Sequence, residues 1–242
     1  MKEIYKPYLI KLEMKGLEGI DAGRYPFSLP AVKDIGDIVF HPDVTFFVGE
    51  NGSGKSTLLE AIAVSMGFNA EGGSFAVNFS TLESVSPLHN HLRLIRGPSR
   101  PKDGYFLRAE SFFNVATYLD ELPALKSFDH KRIHNYSHGE AFIKLIINKF
   151  QGNGIYLLDE PEAALSPGRQ MAALSAIDQL VKNGSQLIIA THSPLLLSYP
   201  NARIYQFDET GVATVDYEET ECFRLMRDFL NNYDRRLQQL LG

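Results

Sequence analysis

One run of residues, Gly49-Glu50-Asn51-Gly52-Ser53-Gly54-Lys55-Ser56-Thr57, constrains this chain more than any other feature. It follows the apolar stretch Val44-Thr45-Phe46-Phe47-Val48 and precedes 56–66, where Leu58, Leu59, Ile62 and Met66 recur at helical spacing. A strand, a glycine-rich loop and a helix in that order fit G-x-x-x-x-G-K-[ST] in the setting that gives the motif meaning. The glycines let backbone N–H groups turn inward around phosphate oxygens, and the helix start adds the positive end of its dipole. On this reading residues 49–57 cradle a triphosphate, Lys55 reaches its β- and γ-phosphates, and Ser56 ligates Mg²⁺. A glycine-rich turn that merely caps a core helix is the bland alternative. It requires a chance match, on the order of 1% when glycine is about 7% of residues.

The rest of the chain predicts a sheet behind that loop. Residues 8–14 and 38–48 alternate β-branched and aromatic side chains with Gly and Pro punctuation, as short strands do. From Ser137 onward the pattern is a helix over 139–150, an apolar strand over 155–158, a helix over 169–182 ended by Gly184, and an apolar strand over 186–190. Helices alternating with unbroken apolar strands indicate a buried parallel sheet. A hairpin around Gly211 and a charged helix from about residue 218 finish the chain. The stretch 71–136 is irregular, with an Arg-Gly-Pro-Ser-Arg-Pro-Lys-Asp-Gly loop at 96–104, and reads as a separate small lobe. The expected organisation is one domain over 1–242. Its parts are antiparallel β, the loop and its helix over 1–70, an irregular and helical lobe over about 71–150, a core over 151–215, and C-terminal helices over 216–242.

Both later apolar strands end in reactive side chains. Ile155-Tyr156-Leu157-Leu158-Asp159-Glu160 delivers two carboxylates at a strand C-terminus, where α/β sheets hold their ligands. Asp159 suits the hydration shell of Mg²⁺, and Glu160 suits the orientation and deprotonation of a water molecule within one hydrogen bond. An acidic pair that only starts a surface turn before Pro161 is the alternative. His192 follows strand 186–190, with Ser193-Pro194 fitted to an N-cap and first helical turn. A histidine there can hydrogen-bond a γ-phosphate or the water. Ser137 and Glu140, in Tyr136-Ser137-His138-Gly139-Glu140, have the spacing of a capping box, which satisfies helix-end N–H groups without any ligand. The same helix start is also an anion site for the N–H groups that Ser137 leaves uncovered.

Composition removes other classes. Lys plus Arg number 24 against 29 Asp plus Glu, a net charge of −5, which argues against nucleic-acid binding through bulk charge. Arg93, Arg96, Arg100, Lys102 and Arg108 leave a local contact with nucleic acid or an acidic protein as one reading, with a solvated loop as the plainer one. The single cysteine, Cys222, cannot form an internal disulfide, which points to a reducing, cytoplasmic setting. Charge interrupts residues 1–7, and no window approaches the roughly 18 apolar residues of a membrane span. His89 and His91 have no further ligands at zinc spacing.

Taken in order, the four segments resemble an ATP-binding-cassette (ABC) ATPase over at least 44–192, with Asp159-Glu160-Pro161-Glu162-Ala163-Ala164-Leu165-Ser166-Pro167 as the third. The resemblance implies an α/β P-loop NTPase: a mainly parallel sheet flanked by helices, an N-terminal antiparallel β subdomain and a small signature-bearing lobe. It implies that 49–57 is the Walker A loop, 155–159 the Walker B strand, Glu160 the catalytic glutamate, 164–167 the D-loop and His192 the switch histidine. Ser137-His138-Gly139-Glu140 is then the signature motif, whose Ser137 and Gly139 meet the ATP of a second subunit in a head-to-tail homodimer. Phe46-Phe47-Val48-Gly49-Glu50-Asn51-Gly52-Ser53-Gly54, Gly72-Gly73-Ser74, Phe106-Leu107-Arg108-Ala109-Glu110-Ser111-Phe112-Phe113 and Ile189-Ala190-Thr191-His192-Ser193-Pro194 are similar to small stand-alone AAA-family ATPases related to the Rad50, SMC and RecF branch. The implied activity is Mg²⁺-dependent ATP hydrolysis that closes and reopens a dimer. A transporter's nucleotide-binding subunit and an ATP-binding regulatory module with little turnover are the competing readings.

The chain departs from the common pattern in three places. The signature has His138 and Glu140 where many relatives have Gly and Gln. No glutamine lies between Thr57 and Gln151, so Glu110 or Ser111 is expected to replace the Q-loop glutamine. No residue is assigned to the adenine, because Tyr25, Phe27 and Phe40, the upstream aromatics, each read more plainly as core. The 80 positions from Thr57 to Ser137 hold no heptads, which excludes a coiled-coil arm. What the motion acts on, a protein or a nucleic acid, is not legible.

Overall fold

Three strands are buried along their whole length, and they organise everything else. The computed structural model describes residues 6–16, 18–33, 35–75, 86–108, 146 and 149–242. In chain order its elements are β1 (Leu9–Met14), α1 (Pro30–Lys33), β2 (Ile38–Val39), β3 (Val44–Gly49), α2 (Lys55–Met66), β4 (Gly73–Ser74), β5 (Leu92–Arg96) and β6 (Asp103–Arg108). They continue with β7 (Gly154–Asp159), α3 (Pro167–Lys182), β8 (Gln186–Ala190), α4 (Pro194–Leu197), β9 (Arg203–Asp208), β10 (Gly211–Val215), α5 (Glu221–Asn231) and α6 (Tyr233–Leu241).

The buried three are β3, β7 and β8. Their side chains alternate between two apolar layers, and because both faces are covered the sequence shows unbroken apolar runs. Phe47, Leu157 and Ile188 join Leu58, Leu59 and Ile62 of α2 in one layer. Phe46, Val48, Leu158 and Ile189 join Ala173, Ile177 and Leu180 of α3 in the other. The main sheet runs β10-β9-β3-β8-β7-β6-β4. Its five inner strands are parallel, and β10 and β4 close its edges antiparallel. This is the mainly parallel, helix-flanked sheet of a P-loop NTPase.

A second, antiparallel sheet has the order β2-β1-β5. Its third strand comes from 92–96, within the stretch read as lobe, and β4 and β6 from the same stretch extend the main sheet. Period-2 alternation is weak there: β6 is Asp-Gly-Tyr-Phe-Leu-Arg, buried at its centre on both faces. The helix expected over 139–150 has only residues 146, 149 and 150 described; Ile146 and Phe150 pack into the α3 layer. The two sheets are stitched by Gln186, the first residue of β8. Its buried amide accepts the N–H groups of Tyr8 (3.0 Å) and Leu9 (2.9 Å) and donates to the carbonyls of Leu9 (2.8 Å) and His41 (3.0 Å).

The hairpin around Gly211 is β9 and β10. The terminal helix expected from about 218 is two helices, preceded by a 3₁₀ turn at Tyr217–Glu219. Among the described residues no helix is long and apolar enough to cross a membrane.

Candidate functional site

The order β3-β8-β7 brings three distant loops side by side. Phe47 of β3 and Asp159 of β7 both pair with Ala190 of β8, so the chain leaves all three strands at one level. This is the carboxyl end of a parallel sheet, where such folds bind ligands.

Gly49, Gly52 and Gly54 adopt φ of 149°, 82° and 104°. At Gly49 a β-carbon would lie 2.1 Å from the carbonyl oxygen of Phe207, so β9 approaches the loop too closely for any side chain. Gly54 caps α2 in the left-handed region, and among the described residues no side-chain cap covers the first helical N–H groups. Those donors are available to an anion. Lys55, only 3% exposed, turns its ammonium back into the loop, donating to the carbonyls of Gly49 (2.7 Å) and Glu50 (2.8 Å). Burial pushes its pKa down, while Glu160, Asp159 and Glu162 pull it back up.

Ser56 is the next residue, and its hydroxyl donates to Asp159 Oδ1 at 2.8 Å across 103 positions of chain. Immediately after Asp159 the backbone reverses. Glu160 has φ of 46°, in the left-handed region, and its N–H donates to the carbonyl of Ala190. Such a conformation costs on the order of 1 kcal/mol for a non-glycine residue. It brings Glu160 Oε1 to 3.4 Å from His192 Nε2. Glu162, two residues on, accepts the backbone N–H of His192.

Ser53 Oγ and Glu162 Oε2 are buried and make no hydrogen bond among the described residues, and the buried His192 Nε2 has there only the 3.4 Å approach of Glu160. Buried polar atoms are nearly always paired, so unpaired ones on the loops that leave β3 and β7 call for a ligand. The donor set fits Mg²⁺ and a triphosphate: a hydroxyl and a carboxylate for a hard cation, N–H groups and an ammonium for phosphate.

The structure therefore brings together 49–57, Asp159, Glu160 and His192. Ser137, His138 and Gly139 lie outside the described residues, as do Glu110 and Ser111. Phe27 and Phe40 are core, as read, but Tyr25 is not: it is 59% exposed, and its hydroxyl lies 3.0 Å from that of Thr57 on α2. Arg108 does not face solvent with the other basic residues of its cluster. It ends β6 in register with Asp159, and its guanidinium pairs with Glu60 of α2 at 2.7 Å and donates to the carbonyl of Ala70. Sequence reasoning missed Glu162 as a site residue, because its place depends on the reversal at Glu160. Spacing carries no signal of that turn.

Fold and loop together define a P-loop NTPase. A family profile described as "AAA domain, putative AbiEii toxin, Type IV TA system" matches residues 116–198, and one described as "AAA domain" matches 27–90. An uncharacterized ABC transporter ATP-binding protein of Haemophilus influenzae is 26% identical over 183 residues, 67% of this chain and 68% of that protein. The crystal structure of an SMC head bound to the C-winged helix domain of ScpA has the same fold, with a TM-score of 0.51 and 16% identity over 86% of this chain and 98% of that one. The chain is a member of the ABC-type ATPase superfamily.

Proposed function

We propose that this chain is a single ATPase head that hydrolyses ATP to ADP and phosphate in the cytoplasm, in a site completed by a second copy of itself. The observation that carries the reading is the meeting of Ser56 and Asp159 at 2.8 Å, beneath the start of α2 and beside the Glu160–His192 pair. Residues 49–54 wrap the β- and γ-phosphates with backbone N–H groups, and Lys55 exchanges its two loop carbonyls for phosphate oxygens. Ser56 and Asp159 hold Mg²⁺, which supplies charge neutralisation at the phosphates. Glu160 orients the attacking water and takes its proton. His192 holds the γ-phosphate or that water from the neighbouring strand end. The exposed ring of Tyr25, anchored at Thr57, offers a stacking face for adenine.

The signature residues Ser137 and Gly139 are assigned to the ATP bound by the other copy. ATP contacts that exist only in the closed dimer then drive closure, and hydrolysis removes them. Glu160→Gln is expected to bind ATP normally and to hydrolyse it about 10²- to 10⁴-fold more slowly; wild-type turnover would remove Glu160 as the base. For the shared site, Ser137→Arg protein is titrated with Lys55→Ala protein. Mixed dimers retain one complete site, so activity should reappear, and none at any ratio excludes sharing. The name of the Haemophilus influenzae relative favours a second reading, a transporter subunit. Co-purification of a membrane protein with the Glu160→Gln form would support it.

A further inference from the structure

Two side chains outside the four motifs tie the His192 loop to the segment that leaves β7. Glu162 accepts the N–H of His192 through Oε1. Gln170, in the first turn of α3, accepts the hydroxyl of Ser193 through Oε1 at 2.6 Å and donates through Nε2 to the carbonyl of Leu165 at 3.0 Å. The Ser193 oxygen in turn accepts the N–H of Leu196, capping α4. Residues 192 and 193 are thus held, one bond each, by the chain on either side of 164–167. Resting on the reading above, we infer that Glu162 and Gln170 are positioning residues that transmit the placement of 164–167 to His192, and so set its approach to Glu160.

The chemistry favours that role over simple packing. A carboxylate accepting a backbone N–H makes a charge-assisted bond, stronger and shorter than a neutral one. Yet the second oxygen of Glu162 is buried without a partner among the described residues, and leaving such an atom unpaired is unfavourable. The Lys55 ammonium is close enough for Glu162 to act on it electrostatically, which offsets part of that penalty. Gln170 has both ends of its amide engaged, to Leu165 and to Ser193, so a shift of the residue 165 carbonyl reaches Ser193 through one planar amide. In the dimer reading 164–167 faces the second copy, and this brace lets subunit contact reach the histidine.

The test is steady-state hydrolysis together with ATP binding by calorimetry, on the full chain. Because misplacing a catalytic group by about 1 Å can cost about 10²-fold, Glu162→Ala is expected to lower kcat about ten- to a hundredfold and leave the ATP Kd within about twofold. Glu162→Gln, whose amide oxygen still accepts the His192 N–H, should recover most of that loss. The double variant Glu162→Ala/His192→Ala should be no slower than His192→Ala alone, since one residue acts through the other. Gln170→Leu should show the same kcat-only loss, and it decides the matter if Glu162→Ala does not fold. Multiplying losses in the double variant, equal damage from Gln and Ala, or a Kd that weakens as far as kcat falls would each overturn the inference. A Glu160→Gln protein with normal turnover sinks the hydrolytic reading itself. With that variant inactive, a fully active Glu162→Ala sinks only the brace.

Discussion

Replacing Gln186 with leucine tests how the two sheets are joined, and the structure sets the size of the effect. The substitution keeps the volume roughly and removes every polar atom from a fully buried side chain. Four backbone groups lose this partner: the N–H groups of Tyr8 and Leu9 and the carbonyls of Leu9 and His41. Each buried group left unsatisfied costs about 1–3 kcal/mol. Under-satisfied carbonyls are better tolerated than orphaned N–H groups, so the two donors dominate. Relaxation at the edge of β1 and the added apolar contact of leucine return part, leaving about 3–4 kcal/mol. For a chain of this size about 2–4 °C of Tm is lost per kcal/mol, so the midpoint should fall by roughly 6–16 °C. Gln186→Glu, which retains an acceptor for both N–H groups, should fall between. The measurement is a calorimetric or circular-dichroism melt at fixed protein and nucleotide concentration, since bound ATP would raise every midpoint. ATP affinity of the folded variant should not change, because Gln186 begins β8 and lies about 13 Å along the strand from the loop of His192. A drop of less than about 2 °C would show that the β2-β1-β5 sheet is held by its apolar face alone, and the reasoning from satisfied buried amides would fail.

Two further outcomes follow from the nucleotide loop. Gly49→Ala should lose both stability and nucleotide binding, since its β-carbon would enter the space of the Phe207 carbonyl at 2.1 Å and the φ of 149° is strained for alanine; a melt and an ATP titration unchanged from wild type would show that β9 gives way freely. Tyr25→Ala should weaken ATP by about 1–3 kcal/mol, about five- to 150-fold, with Tyr25→Phe near wild type and free triphosphate bound equally by all three; equal ATP affinity in Tyr25→Ala removes the ring from the adenine face.

Much of this was legible because parallel sheets leave an unmistakable trace. Strand β8 has the bounds expected, β3 and α2 differ from expectation by one residue at one end, and β7 by one residue at each end. The edges were less legible. The two residues of β4 carry no period, and β5 pairs with β1 across some eighty positions, so its strand character comes from a partner that local reading does not see. Tyr25 was misjudged for a related reason. An aromatic residue upstream of a sheet is more often core than surface, and only the tertiary path of residues 20–29 leaves this one outside while Phe27 goes in.

The candidate site shows why some residues are found by motif and others only by geometry. Ser56 and Asp159 stand on regular elements, the first turn of a helix and the last residue of a strand, and their direction follows from the element. Once β8 lies between β3 and β7, their meeting is nearly obligatory. Glu160, Glu162 and His192 stand on the turns that follow, where one left-handed residue redirects the chain. The carboxylate pair is therefore not two successive side chains on opposite faces of a pleat, as strand alternation alone would have it. The strand holds Asp159 against the helix, and the reversal frees Glu160 to meet His192 while sending Glu162 beneath it. That division of labour suits the proposed function: on that reading the groups assigned to the nucleotide sit on rigid elements, and the groups assigned to the water and the γ-phosphate sit on loops, which a second subunit would be able to move.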